Sequence, residues 1–121
     1  MTKKVLIVDD SPTMRSLVKT TLQQESWETI TAQNGLKALK EIRNESVDLI
    51  ITDINMPDMG GIELITELRK NDKTKSTPIL IITTEGNDKT RNAGKEAGAS
   101  GWIVKPFDPR TLLAAVNKLT G

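Results

Sequence analysis

Short apolar runs alternate along this chain with stretches whose apolar residues recur at helical spacing. The run KVLIVDD, Lys4 to Asp10, is apolar until it ends in two carboxylates. It reads as a strand buried on both faces that opens into a polar site at its C-terminal end. Ser11 and Pro12 then supply an N-cap oxygen and a preset φ, and Met14, Leu17, Val18 and Leu22 form a helical stripe running to about Glu25. The same alternation predicts a weak strand over Glu28 to Ala32, a helix from Leu36 to Arg43, a strong strand VDLIITD from Val47, and a helix from Ile62 to Arg69. It continues with the strand PILIIT, a polar helix around Asn87 to Ala97, the short strand GWIV and a closing helix from Pro109 to Leu119. Asn34-Gly35 and Met59-Gly60-Gly61 punctuate the pattern.

Five strand–helix units without an internal repeat or linker predict an α/β domain. Strict alternation implies a parallel sheet covered on both faces, with right-handed crossovers and ligands bound beyond the carboxyl ends of the strands.

At 121 residues, the whole of 1–121 is expected to be one domain without an appended output domain. Lysine and arginine total 17 against 16 acidic residues, so charge alone gives no reason to sit on nucleic acid or anionic lipid. A protein partner is the better expectation. Apolar runs far shorter than a bilayer span, and a start unlike a signal peptide, lead us to expect a cytoplasmic protein. The chain has no cysteine and no histidine, which removes disulfides, thiolate nucleophiles and most transition-metal sites. No phosphohistidine can form within it either, so in any histidine-to-aspartate transfer it could only receive.

What remains is oxygen chemistry, and it falls at strand ends: Asp9 and Asp10 after the first strand, Asp53 after the third, Thr83 and Thr84 after the fourth, Lys105 after the fifth. Taken singly, the acidic pair could be a solvated turn, Asp53 a helix cap and Lys105 a surface charge. Taken together, the predicted architecture brings these ends to one edge. Converging carboxylates repel unless a hard cation such as Mg²⁺ (or Mn²⁺) neutralises them. Mg²⁺ uses few protein carboxylates, which leaves one aspartate free as a nucleophile. Phosphoryl transfer to Asp53, with Lys105 as a mobile positive charge and the Thr83 hydroxyl as a hydrogen-bond donor, fits this set.

The blocks LIVDD, DINMPDMGG, the ITT of the fourth strand and VKPF of the fifth resemble the signature blocks of response-regulator receiver domains, and the similarity spans the chain. Within that family it is most similar to the CheY-like single-domain chemotaxis regulators. The resemblance implies a flavodoxin-like, doubly wound five-stranded sheet of order 2-1-3-4-5 with five helices. It also implies that Asp53 is the phosphoacceptor, that Asp9 and Asp10 bind the metal directly or through water, and that Asn55 offers it a backbone carbonyl. Thr83 would be the switch hydroxyl, Lys105 the phosphate-contacting cation, and Lys105-Pro106 a cis peptide bond.

Trp102 occupies the position of the family's switch aromatic, where Tyr or Phe is more usual, and its indole needs more room and a partner for its N–H. Asn55 and Glu85, the latter after Thr84, match the two positions that tune phosphoryl lifetime. Implied partners are a chemotaxis-type sensor histidine kinase, a target such as a flagellar motor switch protein docking on helix four, strand five and helix five, and a phosphatase. The protein would act as a monomeric switch, not an enzyme, beyond catalysing its own phosphorylation and dephosphorylation. A phosphorelay intermediate or adaptor is the alternative. An aspartyl-phosphate phosphohydrolase would want a second acid where Asn55 stands, a flavodoxin-like carrier a phosphate-binding loop in place of DDSPTM, and an interaction-only relative would lack one of the key residues.

Overall fold

The computed structural model describes residues 2–121. The elements are β1 (Lys4–Val8), α1 (Pro12–Gln23), β2 (Glu28–Ala32), α2 (Gly35–Asn44), β3 (Leu49–Thr52), α3 (Gly61–Lys70), β4 (Ile79–Thr83), α4 (Asp88–Ala97), β5 (Gly101–Val104) and α5 (Pro109–Thr120). All strand pairs are parallel, in the order β2-β1-β3-β4-β5.

The apolar strands form because their residues have a core on each side. Val5, Ile7, Leu49, Ile51, Leu80, Ile82 and Ile103 face Val18 and Leu22 of α1 and Leu112 and Val116 of α5. The intervening residues Leu6, Val8, Ile50, Ile79 and Ile81 face Ala38 and Ile42 of α2 and Leu64, Ile65 and Leu68 of α3. This alternation is the strand period of two acting on a fully buried sheet. Trp27 closes one end of the first layer, 9% exposed, with the Lys3 ammonium 5.8 Å from its ring centroid.

Boundaries shift where side chains compete with the backbone. The predicted third strand begins at Val47, yet β3 begins at Leu49. Asp48 is held beside the start of β1, its amide donating to the Lys4 carbonyl at 2.8 Å and its carboxylate accepting from the Lys4 amide at 2.8 Å. α1 stops at Gln23, because the chain turns through a left-handed Ser26 (φ 68°) to reach β2.

The helices are anchored unequally. α3 buries Leu64, Ile65 and Leu68, each contributing about 1.5–3 kcal/mol. In α4 the one buried residue is Gly94. α4 is therefore the helix least held by apolar burial and the one freest to shift.

A single guanidinium fixes its C-terminal end. Arg69 donates through Nε and Nη2 to the Gly98 carbonyl (3.1 and 2.8 Å), and through Nη1 to the Thr74 and Thr77 carbonyls (2.8 and 2.7 Å). Arg69→Leu strands three acceptors in half-buried loops and is expected to lower stability by about 2–3 kcal/mol, read from the urea midpoint. No helix among the described residues is long and apolar enough to cross a membrane.

Candidate functional site

The C-terminal ends of β1, β3 and β5 deliver Asp9, Asp53 and Lys105 to one point. The Lys105 ammonium donates to Asp9 Oδ2 at 2.9 Å and to Asp53 Oδ2 at 2.8 Å. These side chains are only 12, 9 and 11% exposed, in the order Lys105, Asp9 and Asp53. The second oxygen of each aspartate is also used: Asp9 Oδ1 accepts from the Ser11 amide at 2.9 Å, and Asp53 Oδ1 from the Ile54 amide at 2.6 Å. Asp10 lies on the exposed side, and one oxygen from each of Asp9, Asp10 and Asp53 falls within 4.8 Å of the others.

Unit charges this close repel by roughly 3 kcal/mol per pair at an effective dielectric constant of about 20. One ammonium does not balance three carboxylates; the formal charge left is −2. Burial by itself pushes the Lys105 pKa down, but hydrogen bonds and charge attraction from Asp53 and Asp9 outweigh it and hold the pKa above the ordinary lysine value. Lys105 is thus a fixed cation within the cluster.

The donor set suits a hard divalent ion: all oxygen, charge −2, and open on the Asp10 side, where water or a ligand oxygen can complete the coordination. Asp9, Asp10 and Asp53 are the side chains able to hold it. Asn55 follows Asp53 on the same loop, with an exposed side chain.

The expected switch residues form a second group at the rim. Thr83 is fully buried, and its Oγ1 accepts from the Glu85 amide at 3.3 Å, so the hydroxyl oxygen is engaged by its own loop. The Lys105 amide donates to the Thr83 carbonyl at 2.7 Å, which ties the β4 and β5 ends together. Trp102 is half-buried, and its indole N–H donates to the Glu85 carbonyl at 3.0 Å. Its ring packs so closely on α4 that a Cβ at Gly94 would lie 2.7 Å from it, while the Arg91 guanidinium stands 5.9 Å from the ring centroid. The partner that the indole N–H requires is present, and the glycine at position 94 leaves space for the ring where it stands. Asn55 Nδ2 donates to Glu85 Oε1 at 3.2 Å, bringing the two residues expected to tune lifetime into contact. Thr84 and Pro106 are exposed, and the Lys105-Pro106 peptide bond is cis.

Sequence reasoning missed two residues here. Arg15 Nη1 donates to the Asp9 backbone carbonyl at 2.6 Å and steadies the acidic turn from the first turns of α1. Asn87 Nδ2 donates to Glu85 Oε2 at 3.2 Å. Asn87 marks the start of the predicted fourth helix, but no local pattern announces its reach back to Glu85.

Residues 5–117 match the family model of the response regulator receiver domain. The chemotaxis protein CheY1 of Helicobacter pylori is 38% identical over 120 residues, spanning 98% of this chain and 97% of its own length. The transcriptional regulatory protein SrrA of Staphylococcus aureus is 39% identical over 119 residues, but the match covers only 48% of it. Among solved structures, the chemotaxis protein CheY4 of Vibrio cholerae superposes with a TM-score of 0.95 at 43% identity, covering 98% of this chain and 99% of that one.

Proposed function

The chain belongs to the response regulator receiver domain family, and from that premise we propose that it is a phosphorylation-controlled switch whose phosphoacceptor is Asp53. The observation that carries this reading is the Lys105 ammonium bonded to both Asp9 and Asp53 inside a three-carboxylate cluster.

In the proposed reaction a carboxylate oxygen of Asp53 attacks the phosphorus of a phosphohistidine on a partner kinase. A P–O bond forms as the P–N bond breaks, and the electron pair leaves on the imidazole nitrogen, which takes a proton from solvent. The Ile54 amide fixes one Asp53 oxygen; the other, now held by Lys105, is the one we assign as nucleophile. Bound at Asp9, Asp10 and Asp53, with the Asn55 carbonyl as a further ligand, Mg²⁺ or Mn²⁺ would neutralise the carboxylates and the oxygens of the incoming group. Lys105 stays within reach of the new phosphoryl oxygens and stabilises the charge they carry.

The phosphoryl group adds acceptor oxygens beside Lys105 and offers the Thr83 hydroxyl a new partner. Thr83 drawn toward them would give up the Glu85 amide, and Glu85 carries the Trp102 indole on its carbonyl. The β4–α4 loop, Trp102 and the weakly anchored α4 would then shift together, changing the surface formed by α4, β5 and α5. Thr84 sits exposed on that loop. The output is a change in protein binding, not turnover of a substrate, and the single domain acts as a cytoplasmic monomer.

We place the protein in chemotaxis, with a sensor histidine kinase as donor, a flagellar motor switch protein as target and a phosphatase to reset it. Similarity to the chemotaxis proteins CheY1 and CheY4 along 97 and 99% of their lengths supports this. A relay or adaptor output is the second reading, favoured by the comparable identity to SrrA, a transcriptional regulator.

Incubation with phosphoramidate and Mg²⁺ is expected to add one phosphoryl group by intact mass, and a chelator in excess over the metal to abolish the adduct. In a Trp27→Phe background, Trp102 fluorescence should change with the same rate constant. An adduct formed equally well in chelator would remove the metal from the account.

A further inference from the structure

Glu85 is held from two sides. Its Oε1 accepts from Asn55 Nδ2 at 3.2 Å and its Oε2 from Asn87 Nδ2 at 3.2 Å, so two amides from different elements grip one carboxylate. Asn87 has both ends of its side chain occupied, because its Oδ1 caps α4 by accepting from the Thr90 amide at 2.8 Å. A continuous chain of polar contacts therefore runs from the loop after Asp53, through Asn55, Glu85 and Asn87, into the first turn of α4. The backbone of the same Glu85 holds Thr83 Oγ1 and the Trp102 indole.

We propose that Asn87 is a positioning residue that acts through Glu85, pinning its carboxylate against Asn55 at the rim of the acidic site and so easing the approach of an anionic phosphodonor. The proposal rests on the reading of Asp53 as phosphoacceptor.

Through its bond to Asn55, two residues after Asp53, Glu85 adds a negative charge near a cluster that already carries a formal charge of −2, which disfavours the approach of an anionic donor. Two amide N–H donors offset part of that charge and fix where it stands. With Asn87 shortened, Glu85 keeps one donor and turns freely, and Asn55, which holds the other end, loses its fixed partner. The site then presents a less neutralised and more mobile carboxylate at its entrance. Neither bond is short and both lie at the surface, so each alone is modest; their effect comes from holding both oxygens of one carboxylate at once.

Asn87→Ser and Asn87→Asp both retain a good N-cap, so α4 and thermal stability should be preserved in each. Serine removes the reach to Glu85, whereas aspartate sets a second carboxylate against it. Rate constants for phosphorylation by phosphoramidate with Mg²⁺ would be measured by intact mass in wild type, Asn87→Ser, Asn87→Asp, Glu85→Ala and the Asn87→Ser/Glu85→Ala double variant. Asn87→Ser is expected to be slower by about two- to tenfold, the range for one hydrogen bond, and Asn87→Asp slower still. In the Glu85→Ala background the serine substitution should change nothing further. Equal rates for Asn87→Ser and wild type, or the same slowing with Glu85 absent, would overturn the inference and reduce Asn87 to a helix cap. Failure of wild type to accept any phosphoryl group would instead bring down the Asp53 reading, and the inference with it.

Discussion

Asp53→Asn is expected to yield a folded protein that takes up no phosphoryl group under conditions that label the wild type to completion. The amide keeps the shape of the side chain and can still accept from the Ile54 amide, whose hydrogen bond to Asp53 Oδ1 is 2.6 Å. It lacks the anionic oxygen that attacks phosphorus, the one now held by Lys105. Stability should move little, because two effects offset each other. Losing one partner of Lys105 is unfavourable, but the ammonium keeps Asp9 and is not orphaned. Removing one of three clustered carboxylates also relieves repulsion of roughly 3 kcal/mol per pair. A net change within about 1 kcal/mol follows, measurable by urea unfolding. A labelled Asp53→Asn protein would show that another residue accepts the group.

Gly61→Ala carries the largest expected cost in stability. A Cβ at Gly61 would collide with the Asp53 carbonyl oxygen and lie 3.0 Å from Ile54 Cα, and neither is the movable end of a side chain. The Gly61 amide is also committed, donating to the Ile54 carbonyl at 2.9 Å. Relief requires the start of α3 to move away from β3, against the burial of Leu64, Ile65 and Leu68. We expect a loss of about 3 kcal/mol, the upper end of overpacking costs, seen as a lower urea midpoint. Because the colliding atom belongs to Asp53, phosphorylation should also slow markedly. An unchanged midpoint would mean that the β3–α3 turn adapts without strain.

The sequence carried the fold well where one force dominates. The runs LIV, LIIT and ILIIT in β1, β3 and β4 are buried on both faces, and strands with that environment announce themselves by composition. The cap of α1 was equally legible, since Ser11 stands before Pro12 and accepts an amide from its own first turn, whereas the capping by Asn87 and Asp108 of α4 and α5 emerges from the structure. The sheet order came from the family resemblance, because alternation alone does not say which strands are neighbours.

The convergence of Asp9, Asp10, Asp53 and Lys105 followed from placing reactive residues at the ends of parallel strands. What could not be read were hydrogen bonds between residues far apart in sequence. Arg69 gives no sign that it serves the loops after α3 and α4, because its acceptors are backbone carbonyls, which carry no sequence label. The partner that the Trp102 indole requires is likewise a backbone oxygen, that of Glu85. The bond by which the Thr83 hydroxyl oxygen accepts from the Glu85 amide two residues on was not read from the sequence either.

Tandem mass spectrometry of proteolytic peptides, after incubation with phosphoramidate and Mg²⁺, locates the phosphoryl group. A single modified residue, Asp53, is expected, with no modification when the metal is chelated. A phosphoryl group on any other residue, or none on a folded protein, would contradict the assignment of Asp53 as phosphoacceptor.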